Sequence, residues 1–258
     1  MNNSLSHTTF GLIGHPLTHS FSKRYFTRLF EGDPEGRSYD NFDLPELTPA
    51  ALYEMLLLNP LLRGFNVTAP YKEAIMEYLD NINPIAAEIG AVNTVVVRRS
   101  PDGRILGLDG YNTDAEGFRR SVERRMPAGA RNAIILGTGG ASKAVEYAFD
   151  FLGMKAVRVS RKPQGKGVIA YTDITPELVT ESSVVVNATP LGTFPNIDDC
   201  PDFPYEYLTP DHLAYDLVYN PAETLFMRRA GLAGARTCNG MEMLVNQAMA
   251  SLEIWTSK

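Results

Sequence analysis

Little in this chain invites a metal, a membrane or a nucleic acid. There are four histidines, and although His15 and His19 are four apart, Pro16 and the turn-like residues around it argue against a shared helical face, so no metal site is expected. The two cysteines, Cys200 and Cys238, are widely separated in a chain too large to need stapling and read as free thiols. No apolar run approaches the roughly 20 residues needed to span a bilayer. The first ten residues are polar and lack the apolar core of a signal segment, so the expected compartment is the cytoplasm. A formal net charge of -6 gives no global basic field, which disfavours nucleic acid and anionic membrane surfaces as partners.

What is present is 258 residues, 44% of them hydrophobic, enough for two ordinary cores. Residues 10–14, 38–44, 62–67 and 93–98 read as strands, and 22–30, 49–58, 71–79 and 84–89 as helices. Pro101-Asp102-Gly103 is a turn that joins strand 93–98 to the next in a hairpin. This alternation implies a mostly parallel, mixed sheet covered by helices. A helix over 114–125 then leads into strand 132–136, helix 142–152 and strands 156–160, 183–187, 213–217 and 235–238, a Rossmann-like series. Residues 195–210 form a Pro- and Asp-rich loop, and 241–255 a closing helix. The expected fold is therefore α/β: a mixed-sheet domain over residues 1–113, joined by a returning C-terminal helix 239–258, and a Rossmann-like dinucleotide-binding domain over 114–238.

Ala133-Ile134-Ile135-Leu136 runs into Gly137-Thr138-Gly139-Gly140-Ala141-Ser142 and then a helix. Glycines permit a tight turn and close backbone approach, and free amides at a helix start can hold a pyrophosphate. Ser142 stands where Gly or Ala is usual, so close helix packing falls to Ala141 and Ala144. The next strand ends in Ser160-Arg161-Lys162, where an NAD-preferring fold tends to carry an acid. Arg161 can grip a 2′-phosphate with charge-assisted bonds and Lys162 adds a less directional charge, which favours NADP(H).

Asn66-Val67-Thr68-Ala69-Pro70-Tyr71-Lys72, Asn93-Thr94 and Asn112-Thr113-Asp114 each lie at the end of an apolar, strand-like run. One lysine, one carboxylate and several neutral hydrogen-bonding groups at strand ends suit the grip of a small polyhydroxylated molecule and the movement of a proton on it. Ser20 and Ser22 could bind one carboxylate or cap the helix that follows, and spacing alone favours the cap. Asn66 reads equally as a substrate contact or as a partner for strand-end backbone.

Nearly the full length resembles the shikimate dehydrogenase family. The likeness rests on Gly14-x-Pro16-x-x-His19-Ser20-x-Ser22, Asn66-Val67-Thr68-x-Pro70-x-Lys72, Gly90-Ala91-Val92-Asn93-Thr94, Asn112-Thr113-Asp114 and the glycine segment. Asn187-Ala188-Thr189, Asp216-x-x-Tyr219-x-Pro221 and Gly240-x-x-Met243-Leu244-x-x-Gln247 complete it, in order. The resemblance implies NADPH-dependent, reversible reduction of 3-dehydroshikimate to shikimate, in the pathway to aromatic amino acids. It implies that Ser20 and Ser22 hold the substrate carboxylate, that Asn93, Asp114 and Gln247 bind ring hydroxyls, and that Thr68 and Tyr219 are further substrate contacts. Lys72 and Asp114 would flank the reacting oxygen, Gly240 and Met243 would lie beside the nicotinamide, and Ala188 and Thr189 would form part of the cofactor cleft.

Hydride addition to a ketone leaves alkoxide charge that a nearby ammonium stabilises and protonates, so Lys72 is either the proton donor or an electrostatic anchor. A carboxylate at Asp114 would orient it and favour its ammonium form. Where the family often has Asn-Arg-Thr, Ser160-Arg161-Lys162 keeps the arginine and adds a second cation. A dual quinate/shikimate dehydrogenase and a non-catalytic dinucleotide sensor are the competing readings. The expected partner is the small-molecule substrate alone, in a monomer or homodimer.

Overall fold

Strand and helix alternate along the chain and sort into two units in the computed structural model, which describes residues 8–17, 21–165 and 167–257. The first unit comprises the chain up to Thr113 together with Ala248 onward, and the second runs from Asp114 to Gln247.

In the first unit, β1 (Thr8–Gly14), α1 (Phe21–Leu29), β2 (Arg37–Asp43), α2 (Pro49–Leu58) and β3 (Leu62–Val67) come in turn. A 3₁₀ turn (Ala74–Tyr78), β4 (Asn81–Ile82), α3 (Pro84–Ile89), β5 (Thr94–Arg99) and β6 (Ile105–Tyr111) follow. Among the described residues they form a six-stranded sheet in the order β2-β1-β3-β5-β6-β4, with β5 running against its neighbours. Two-residue periodicity divides the side chains between two cores. Phe10 and Leu12 join Phe26, Tyr39 and Trp255 on one face, while Ile13 joins Leu52, Phe65 and Ile75 on the other. Trp255 stacks on Phe10 with ring centroids 4.7 Å apart, and its indole donates to the Val95 carbonyl at 2.9 Å. The Arg99 guanidinium donates to the carbonyls of Leu56, Asn59, Leu62 and Gly103, tying the end of α2 to the hairpin.

The helix expected over 71–79 is corrected by the structure. The segment closes as a 3₁₀ turn because the Lys72 carbonyl accepts from the Val92 amide at 2.7 Å and the Asp80 amide is drawn to the Leu108 carbonyl at 2.9 Å, so the chain is taken up by the sheet.

The second unit begins with α4 (Asp114–Glu123), β7 (Asn132–Leu136), α5 (Gly140–Phe151), β8 (Lys155–Ser160) and β9 (Val168–Ala170). It continues through α6 (Pro176–Thr180), β10 (Val184–Asn187), β11 (Leu213–Asp216), α7 (Leu225–Leu232), β12 (Arg236–Cys238) and the start of α8 (Met241–Thr256). Its described strands are all parallel in the order β12-β11-β10-β7-β8-β9, the Rossmann order with its switch between β7 and β10. Ala133 and Ile135 pack with Phe118, Val145 and Phe149 on one face, and Ile134 and Leu136 with Phe226 and Ala230 on the other. Burial on both faces explains the uninterrupted apolar strand sequences. The division between units falls inside α8, after Gln247, whereas the expectation assigned all of 239–258 to the first. Among the described residues, no helix is long and apolar enough to cross a membrane.

Candidate active site

Topology alone gathers the first unit's candidates. Because β1, β3 and β6 run one way and β5 the other, Gly14, Thr68, Asn93 and Asn112 all lie at one end of the sheet. Backbone bonds draw them close: Thr68 donates to Ile13 at 2.9 Å, Val67 to Asn93 at 2.8 Å and Asn93 to Tyr111 at 3.1 Å. Lys72, half-buried, sits one turn beyond Thr68, where the Tyr71 amide donates to the Thr68 carbonyl at 3.0 Å. Ser22 is in the first turn of α1 and hydrogen-bonded to the Tyr39 phenol, whose burial pushes it well above its ordinary pKa and keeps it protonated. Ser20 lies outside the described residues.

The Asn93 side chain is held at both ends. Its amide donates to Thr113 Oγ1 at 2.9 Å, and its carbonyl oxygen accepts from the Thr113 amide at 2.7 Å. Asn66 is only 4% exposed and engages Tyr39, Ser251, Thr94 and the Asn93 carbonyl. Of the two readings open for Asn66, the structure displays the strand-end partner.

In the second unit Asp114 is buried at the start of α4, where helix dipoles favour a carboxylate. Gln247 is buried in α8, its amide donating to the Leu244 carbonyl at 2.9 Å, and Tyr219 is half-buried just past β11.

A cavity of about 690 Å³ opens at the β7/β10 switch of this unit. Gly137, Thr138 and Gly139 line it beside Ala188 and Thr189 of the neighbouring strand end, and Ser160 and Arg161 lie at the end of β8. A smaller recess of about 430 Å³ is lined by Ser160, Arg161 and Lys162. Gly137 has a φ of 117°, and a Cβ there would lie 3.0 Å from the Ala188 carbonyl oxygen. Gly139 has open space around it and Gly140 begins α5, so the loop presents backbone to the cavity at a helix start. Ser142 is fully buried, and its hydroxyl donates to the Gly137 carbonyl at 2.6 Å, so the departure from Gly or Ala braces the loop. Gly240 is equally constrained, since a Cβ would stand 2.1 Å from the Leu217 carbonyl oxygen, beside Met243 in the first turn of α8.

The cavity walls rest on a buried polar cluster. Asn187 donates to Asp216 Oδ1 at 2.9 Å and accepts from Thr189 Oγ1 at 2.6 Å, while Thr224 donates to Asp216 Oδ2 at 2.6 Å. Burial pushes the Asp216 pKa up to about 6 against these donors. The Asn-Ala-Thr and Asp-x-x-Tyr segments are thus tied to each other across neighbouring strands. Tyr171, Cys200 and Asp202 also line the cavity and escape the sequence reading. Tyr171 follows β9, whose three residues carry no periodicity, and the other two sit in a stretch that reads only as loop. Both cysteines are free thiols, and no cluster of three or more His, Cys, Asp or Glu suited to a metal occurs among the described residues.

The N-terminal portion, residues 12–95, matches the shikimate dehydrogenase substrate binding domain family. Over 266 residues the chain is 36% identical to the shikimate dehydrogenase (NADP(+)) of Desulforamulus reducens, covering 95% of this chain and 89% of that protein. The crystal structure of shikimate 5-dehydrogenase from Thermus thermophilus in complex with NADP(H) and shikimate superposes with a TM-score of 0.81 at 34% identity, covering 96% and 93% of the two chains. Quinate dehydrogenase from Corynebacterium glutamicum in complex with NAD reaches the same TM-score at 28% identity, covering 97% and 94%. Similarity of this extent, over both units and with the expected motifs at their strand ends, places the chain in the shikimate dehydrogenase family.

Proposed function

We propose that this protein is an NADP-dependent shikimate dehydrogenase, reversibly reducing 3-dehydroshikimate to shikimate in the route to chorismate and aromatic amino acids. The observation that carries the reading is the full-length likeness, at 34% identity, to a relative solved with both NADP(H) and shikimate. The second unit supplies a fitting cradle. Gly137, Thr138, Gly139, Gly140, Ala141 and Ser142 form the loop that would hold the pyrophosphate, with Ala188 and Thr189 beside it. Ser160, Arg161 and Lys162 would receive the 2′-phosphate in their recess, and Gly240 and Met243 would flank the nicotinamide. When bound, NADPH supplies the hydride that turns the ketone carbon into a secondary alcohol.

The chain's own residues bind, orient and protonate. Ser20 and Ser22 hold the substrate carboxylate, with Tyr219 as a further contact. Asn93, Asp114 and Gln247 read ring hydroxyls, and Thr68 packs beside them. Lys72 carries the proton to the developing alkoxide and Asp114 orients it, a division worth roughly 10²- to 10⁴-fold in rate for the acid. Neutral amides suit this task because a site that hydrogen-bonds a hydroxyl penalises analogues lacking it. The residues before 114, with the C-terminal helix, act as the substrate-binding domain and those after it as the dinucleotide-binding domain, in a cytoplasmic monomer or homodimer.

A dual quinate/shikimate specificity is the second reading, favoured by the equal structural likeness to the quinate dehydrogenase. Incubating the pure protein with 3-dehydroshikimate and NADPH, and identifying the product by mass spectrometry, tests the proposal. Stoichiometric shikimate supports it. No product from folded protein that binds NADPH would leave only a dinucleotide-binding role.

A further inference from the structure

Six neutral side chains share one buried hydrogen-bonded cluster in the first unit: Tyr39, Asn66, Asn93, Thr94, Thr113 and Ser251, none more than 4% exposed. Four of them close a ring. Ser251 Oγ is 2.8 Å from Thr94 Oγ1, Thr94 donates to Asn93 Oδ1 at 3.1 Å, Asn93 Nδ2 donates to Thr113 Oγ1 at 2.9 Å, and Thr113 Oγ1 returns to Ser251 Oγ at 3.1 Å. Asn66 feeds the ring by donating to Ser251 at 2.9 Å, and its carbonyl oxygen accepts from the Tyr39 hydroxyl, also at 2.9 Å.

The direction of donation is constrained. The Asn93 backbone carbonyl can only accept, so it takes the Asn66 amide nitrogen at 3.1 Å and leaves the Asn66 oxygen to the Tyr39 hydroxyl. The Asn66 nitrogen then faces Ser251, whose hydroxyl accepts from it and lies within hydrogen-bond distance of both threonine hydroxyls. Because the Thr113 backbone amide can only donate, the Asn93 amide cannot flip without losing that bond to Oδ1. Stability alone does not call for such a ring, since replacing both partners of a buried bond by apolar groups is often nearly neutral. A fully satisfied polar network instead selects one arrangement.

We propose that Ser251 is a positioning residue that sets the Asn93 amide for recognition of a substrate hydroxyl, with Tyr39 and Asn66 anchoring the far end of the network. The inference rests on the shikimate dehydrogenase reading, and on Asn93 as a hydroxyl contact within it. Ser251 comes from the closing helix, four residues after Gln247 and so on the same helical face. One helix therefore supplies both a proposed hydroxyl contact and the group that orients another.

The test compares wild type, Ser251→Ala and Tyr39→Phe on shikimate and on the two monodeoxy analogues that keep the reacting hydroxyl, well below the melting temperature. Removing the hydroxyl shared by the Asn66 amide, Thr94 and Thr113 is expected to lower kcat/KM for shikimate roughly 5- to 100-fold in Ser251→Ala, with NADP affinity unchanged. The preference for shikimate over at least one analogue should narrow in step, and Tyr39→Phe should shift it in the same direction by less. A purely structural serine lowers the melting temperature and leaves that preference intact, which would overturn the inference. If Ser251→Ala does not fold, Tyr39→Phe carries the decision alone, an unchanged preference again overturning it. A wild type that turns over shikimate but shows no preference refutes this inference only, whereas one inert towards shikimate removes the functional reading and this inference with it.

Discussion

Replacing Gly137 by alanine should damage fold and cofactor binding together. The φ of 117° places the residue where only glycine is at ease, and holding an alanine there costs about 1–3 kcal/mol. The new methyl would also lie 3.0 Å from the Ala188 oxygen, 3.2 Å from its carbonyl carbon and 3.3 Å from Thr189 Cγ2. Neither neighbour yields easily. The Ala188 amide is bonded to the Leu136 carbonyl at 2.9 Å, and the Thr189 hydroxyl to Asn187 at 2.6 Å. Overpacking of this kind adds about 1–3 kcal/mol. The sum, about 2–6 kcal/mol, should lower the melting temperature by roughly 10 °C. Because relief comes by opening β7 from β10, the loop amides move away from the pyrophosphate, and NADP affinity should fall roughly tenfold or more, as expected for charge-assisted bonds made out of register. Gly153→Ala is the control. Its φ is 73° but no atom lies within 4 Å of the added carbon, so it bears backbone strain alone and leaves NADP affinity as it was. Thermal melts and fluorescence titration of NADP report both quantities. Equal effects of the two substitutions on NADP affinity would refute the crowding argument.

Three further outcomes follow from the same geometry. Lys72→Ala should cut turnover roughly 10²- to 10⁴-fold with NADP affinity unchanged, and near-normal single-turnover rates would deny the lysine its proton-transfer role. If Arg161 receives the 2′-phosphate as proposed, Arg161→Ala should weaken NADP roughly tenfold or more and NAD hardly at all; equal loss of both in equilibrium titrations contradicts this. Asp216 has its folded pKa raised to about 6 from 3.8 by burial, so the stability it lends is fully present below pH 4 and is lost as pH rises through 6. Relative to Asp216→Asn, wild-type stability should therefore fall by up to about 3 kcal/mol between pH 4 and 6, at 1.36 kcal/mol per pKa unit. A difference that stays flat across denaturant titrations at these pH values would mean that the donors from Asn187, Thr224 and the Val218 amide outweigh burial.

How far the sequence carries depends on whether a residue's role is local. The strand, glycine turn and helix from Asn132 to Phe151 are legible because the motif, the apolar run and the helix start are contiguous. Alternation likewise marks Leu62–Val67, and proline marks the starts of α2 and α3. Short edge strands such as β4 and β9 escape notice, having too few residues to display a period. Helices α6 and α7 also go unread, although Thr175 and Thr224 cap them with local hydrogen bonds. The site shows the same divide. Asn93 and Asn66 stand out as amides at strand ends, but what orients them is Ser251, 185 positions beyond Asn66. One signal is available for it. Ser251 interrupts an otherwise apolar buried face between Ala248 and Trp255, and a buried hydroxyl needs a partner.

The central claim meets its most direct test in the steady-state rate of nicotinamide reduction with four pairs: shikimate or quinate, each with NADP or NAD. Shikimate with NADP should give the highest kcat/KM, with the exchange of either component costing roughly tenfold or more, in line with lost charge-assisted and hydroxyl-reading contacts. Comparable rates with NAD or with quinate would contradict the specificity assigned to Arg161 and the buried amides. No reduction with any pair would contradict the dehydrogenase itself.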